Sequence, residues 1–236
     1  MKKIVHLAIS DFKIIFRDSS LRSFLFIPIL LFVLMIWVMP LLVSRYEVLS
    51  PYLSLFLVVA VVENTQLFSF ISSMVLIDEK ETGVAKVYGV VPIAKSTYIL
   101  SRFLIPYFLT VMLNILMFAI QPLFEIPFIT GMLISLLTAL VVPVYALSIN
   151  SIVKNRMQGL IYIKGFNMLV LLPITAFFIP ESVKFLFGIF PTHWIFQSID
   201  YATNQESPLY MLAIGFLFFV LLIWAVSRLF IKRHFV

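Results

Sequence analysis

Residues 52–83 read YLSLFLVVAVVENTQLFSFISSMVLIDEKETG. Positions 52–77 form an apolar stretch long enough to cross a bilayer as a helix, which takes about 20 residues. The stretch stops at Asp78-Glu79-Lys80-Glu81, and Gly83 is expected to break or bend the helix. Working outward from this boundary, runs of the same kind recur at 21–43, 99–122, 128–150, 159–179 and 208–230. The chain of 236 residues is 62% hydrophobic and 12% charged, with 25 Phe, and its mean hydropathy is +1.11. A soluble domain could not cover such a core with so few charges. The expected fold is an all-α integral membrane bundle of six transmembrane helices.

Charge placement sets the expected orientation. Of the 17 Lys and Arg residues, all but Arg45 and Lys184 fall on the side that carries the N-terminus. The positive-inside rule then puts both termini in the cytoplasm of a multi-pass protein of the cell inner (cytoplasmic) membrane. The net charge of +6 accordingly orients the chain and attracts lipid headgroups, and it gives no reason to invoke nucleic acid.

Residues 2–18 space Lys3, His6, Ser10, Lys13 and Arg17 by three and four, with Val5, Ala8, Phe12 and Ile15 on another face. This pattern predicts an amphipathic helix in the membrane interface. A single domain is expected over 1–236, divided into this helix (1–20), the bundle (21–230) and a tail (231–236). Between spans five and six, the apolar stretch 185–190 and the run after Pro191-Thr192 predict one or two short helices dipping into the outer interface. Pro28, Pro106, Pro143 and Pro173 lie well inside spans, and Pro40 near the end of one, where they would produce kinks.

The second span carries Glu63, Asn64, Thr65 and Gln66 amid Val, Leu and Phe. An ionisable residue at this depth must face protein or water. Glu63, Asn64 and Gln66 therefore form a candidate intramembrane polar site, with Asn114 and Tyr145 as possible neighbours. They read first as hydrogen-bonding glue between helices and second, at Glu63, as a substrate or proton site.

No catalytic set is visible. The chain has no cysteine, its histidines (His6, His193, His234) are scattered, and HExxH and GxSxG motifs are absent. The stretch 89–96, GVVPIAKS, nearly spells a phosphate-binding loop, but Ala94 replaces the second glycine and Pro92 removes a backbone donor. The chain is not expected to be an enzyme, nor to bind a metal or cofactor.

The loop after span two holds more than a hairpin requires. Beyond Gly83, residues 84–90 place Val84, Val87 and Tyr88 as apolar faces beside Lys86, and Pro92 ends the run. An apolar face bordered by charge reads as a docking surface. The sequence IDEKETG, a short helix, and then VPIAKSTYILSR resembles the ABC type-2 permease family, as does Phe190-Pro191-Thr192-His193-Trp194 before the last span. The resemblance extends to the whole order of segments. It implies the transmembrane subunit of an ATP-binding-cassette exporter, paired with a second permease subunit as a homodimer or heterodimer. Residues 2–18 would be its connecting helix, and 83–91 its cytoplasmic coupling helix, seated on a separate cytoplasmic ATPase subunit. ATP and Mg would be bound by that partner and not by this chain. By position, Glu79, Glu81, Gly83, Val84, Val87, Tyr88 and Pro92 would form the docking region. The alternative from the residues alone is a secondary transporter or channel that uses Glu63; a membrane-embedded enzyme ranks below both.

Overall fold

The computed structural model describes residues 19–90 and 94–234. The expected connecting helix at 2–18 and Pro92 lie outside the described residues. The regular elements are all helical among the described residues. Six helical segments are long and apolar enough to span a membrane: Arg22–Arg45, Glu47–Glu81, Lys95–Ile120, Phe128–Ile152, Arg156–Phe178 and Leu209–His234. They match the six ranges expected from the sequence one for one. Most ends extend outward by a few residues, because polar terminal turns stay helical beyond the apolar core.

The prolines shape the spans as their chemistry dictates. Span one widens into a π-helical turn at Leu34–Val38 just before Pro40, whose missing N–H and bulky ring disrupt the preceding turn. Span four divides at Leu140 into Phe128–Ala139 and Val141–Ile152, because Pro143 cannot donate to the Ala139 carbonyl. Span five changes from α-helix to 3-10 helix at Leu172, next to Pro173. Span three runs unbroken through Pro106, and there the Thr110 hydroxyl donates to the Pro106 carbonyl at 2.8 Å.

Spans two and four form the centre, each with 67% of its most apolar stretch buried, against 17% for spans one and six. The outer connection completes that centre. Helix Pro191–Thr203 was expected at the interface, yet it packs against spans two, four and six, and Ile195, Phe196 and Ile199 are fully buried. Its polar side chains make this possible. Thr192 donates to the Val170 carbonyl at 2.9 Å, Ser198 donates back to Trp194, and Asp200 accepts from Ser54 of span two at 2.6 Å. Trp194 donates to Gly188 at 3.1 Å, anchoring the helix to the segment before it. The helix ends in a Schellman turn: Gln205 has φ +61°, its N–H bonds Ala202 O, and the Glu206 N–H bonds Tyr201 O.

Span six passes this helix at Gly215. A Cβ at that position would lie 2.8 Å from Leu137 Cδ2 and 3.2 Å from Trp194 Cβ, the latter close to rigid backbone. Gly215→Val is therefore expected to destabilise the bundle by about 1–3 kcal/mol through overpacking, measured as a lower thermal unfolding midpoint in detergent. An unchanged midpoint would contradict this packing.

Candidate functional site

The charged end of the bundle is built from the sequence boundary at Asp78–Gly83. Span two is helical through Glu81, so its last turn carries four charges among the termini of the other spans. Each finds a protein partner. Glu79 is buried and forms an ion pair with Arg102 of span three, and Tyr98 donates to its second oxygen. The Tyr98 hydroxyl also lies 3.2 Å from His234 Nε2, at the end of span six, where the His234 ring stacks on Phe230. Lys80 donates to Asn150 O at 3.1 Å and Val153 O at 2.7 Å, satisfying carbonyls that end span four. Glu81 accepts the Arg156 N–H at 3.0 Å, placing negative charge at the N-terminus of span five. Asp78 lies 3.7 Å from the Arg156 guanidinium.

Beyond Thr82 the chain reverses hand. Gly83 has φ +78°, and its N–H bonds Lys80 O while Thr82 N–H bonds Asp78 O. The helix break expected at Gly83 thus occurs there, and the short helix Val84–Val90 follows. Val84 and Val87 are 40% and 58% exposed. Tyr88 turns back toward the bundle, with its ring 5.2 Å from the Tyr98 ring and 5.0 Å from the Arg102 guanidinium carbon. The docking region read from the sequence therefore divides in two. Val84 and Val87 face outward, whereas Glu79 does not: its carboxylate is turned inward, because Arg102 and Tyr98 supply the partners a buried charge needs. Tyr98, Arg102 and His234 were missed in the sequence. The available signal was Arg102 itself, a charge inside the start of an apolar span.

Deeper in span two, the expected polar cluster forms in part, with Asn114 as the neighbour of Asn64 and with Thr65 in place of Glu63 and Gln66. Asn64 donates to Asn114 at 2.7 Å, and Asn114 donates to Thr65 at 3.0 Å, tying spans two and three together. Glu63 lies on the half-buried side of the helix, outside that cluster. Gln66 is buried, and neither of its amide side-chain atoms has a partner among the described residues. The Tyr145 hydroxyl reaches Ile163 O at 3.1 Å and the Asn167 side chain, stapling span four to span five. No group of His, Asp and Glu side chains suited to a metal ion occurs among the described residues.

The model of the family described as fluoroquinolones export permease protein Rv2686c-like matches residues 11–227, nearly the whole chain, and the chain belongs to that family. It is an export permease with a multi-pass membrane architecture. No curated protein and no solved structure matches it.

Two substitutions test this geometry. Glu79→Gln leaves the Arg102 charge buried without its counterion and should cost about 3–5 kcal/mol, seen as a lower unfolding midpoint; adding Arg102→Met should restore part of the loss. Gly83→Ala meets nothing within 4 Å, so it isolates backbone strain. It should cost about 1–2 kcal/mol, and a neutral result would mean that residue 83 does not need the left-handed conformation.

Proposed function

We propose that this permease is the membrane subunit of an ATP-binding-cassette exporter, driven by a separate ATPase that docks on the Val84–Val90 helix. The supporting observation is the divided character of that helix. Val84 and Val87 are exposed beyond the end of the spans, while Tyr88 on the same helix contacts Arg102 and Tyr98. A partner that grips the valines would thereby pull on a buried ion pair shared by spans two and three and adjoining span six. In this reading the charged end faces the cytoplasm, ATP and Mg bind to the partner, and a second permease subunit completes the pathway.

The family name carries the substrate class, fluoroquinolones. A cavity of about 290 Å³ between spans four, five and six is compatible with a flat aromatic drug. Phe166, Phe190, Phe218 and Phe219 line it, and Tyr145, Ser148 and Thr192 supply its polar groups. That composition, mostly apolar with a few oriented polar groups, is typical of small-molecule sites.

The reading is tested by replacing Val84 and Val87 with Asp and reconstituting the permease with its ATPase in liposomes. Co-purification of the ATPase and drug-stimulated hydrolysis should both fall about tenfold or more, since each buried valine is worth about 1.5–3 kcal/mol. Unaltered assembly and hydrolysis would remove the docking role. Drug flux by this chain alone, abolished by Glu63→Gln, would instead establish a secondary transporter.

A further inference from the structure

The charged end also contains a cavity of about 570 Å³ that neither the docking helix nor the drug cavity uses. Its walls are Lys80, Ser151, Ile152, Lys154, Lys232 and Arg233, so four of the six lining residues are cations and none is an acid. The carboxylates of span two's last turn, among the described residues, are engaged elsewhere: Glu79 with Arg102 and Tyr98, Glu81 and Asp78 with Arg156. Two of the cations serve the fold, Lys80 on Asn150 O and Val153 O, and Arg233 on Ser151 O at 3.4 Å. The Lys154 and Lys232 side chains are exposed and make no side-chain hydrogen bond or ion pair among the described residues. Four like charges from three separate segments converge on one space, an arrangement that an anion stabilises and its absence penalises.

We propose that this cavity binds the phosphate of an anionic phospholipid headgroup. The place in the fold selects a lipid over a soluble anion. Lys232 and Arg233 lie in the last turn of span six, and Ser151 and Ile152 in the last turn of span four, the depth at which headgroups sit. Beside the cavity, Ile152 is 43% exposed, and Leu229, one turn back along span six, is 38% exposed. Their exposed apolar surface is available to an acyl chain, which a free phosphate would not need. A lipid held there would bridge the connection between spans four and five to the end of span six. The inference rests on the chain being embedded in a membrane and is independent of the ATPase.

The test uses the purified full chain in dodecyl maltoside, with thermal unfolding followed on addition of phosphatidylglycerol, phosphatidylcholine or inorganic phosphate. Phosphatidylglycerol should raise the unfolding midpoint in a saturable way, and the other two should not. The shift should be largely lost in the Lys154→Gln/Lys232→Gln double variant and kept in Lys154→Arg/Lys232→Arg. Native mass spectrometry of retained phosphatidylglycerol provides a second readout should the Gln variant be less stable from the outset. An equal lipid shift and equal retention in the Gln variant would overturn the site. An equal shift from phosphatidylcholine would reduce the effect to general lipid solvation, and an equal shift from inorganic phosphate would make this a soluble-anion site; either result refutes the proposal.

Discussion

Span two lies at the centre of the bundle, yet it carries polar side chains along its whole length, and the other elements satisfy many of them, with Gln66 an exception. A hydrogen-bonding group with no water nearby must find a protein partner or incur several kcal/mol. Along this one helix the partners come in order. Ser54 reaches Asp200 of the inserted helix, Asn64 and Thr65 reach Asn114 of span three, and the Ser73 carbonyl accepts from Asn150 of span four. Glu79 then meets Arg102 and Tyr98, Lys80 meets the end of span four, and Glu81 meets the start of span five. In lipid, helices gain no hydrophobic drive toward one another, so close packing together with such directional bonds decides which helix lies beside which. Thr65, Ser69 and Ser73 bond back to their own helix, which keeps this polar column from requiring still more partners.

The same constraint acts at the charged end. The Glu79–Arg102 pair is costly to bury and costly to break, so the groups around it move together or not at all. Tyr88 lies against that pair from outside the bundle, and Tyr98 connects it to His234. The short helix therefore rests on charged groups whose partners are fixed, and not on apolar packing alone.

Much of the architecture was legible in the sequence because membrane spans announce themselves by length and composition. The six spans, the break at Gly83 and the disturbances near Pro40, Pro143 and Pro173 all follow from local chemistry. What could not be read was direction. Span two is apolar on every side, so no periodicity tells whether Glu63 or Asn64, 100° apart on the helix, faces span three. The structure gives that role to Asn64. The same ambiguity hid the inward turn of Glu79, which from sequence looks like any charge at the end of a span. Helix Pro191–Thr203 was underestimated for another reason: the apolar stretch 185–190 before it pointed to the outer interface, whereas its own polar residues bond within the protein and let it enter the core.

The two described residues with left-handed backbones, Gly83 and Gln205, lie at opposite ends of the bundle and differ in kind. At Gly83 nothing stands within 4 Å of where a side chain would project. Gln205 instead extends its amide to the Glu125 carbonyl at 2.8 Å, joining its turn to the loop between spans three and four. The turn at Gly83 thus stands open around its α-carbon, and the turn at Gln205 is tied to a neighbouring loop. A substitution at Gly83 therefore acts through the backbone alone, whereas one at Gln205 also unties the loop between spans three and four from its neighbour.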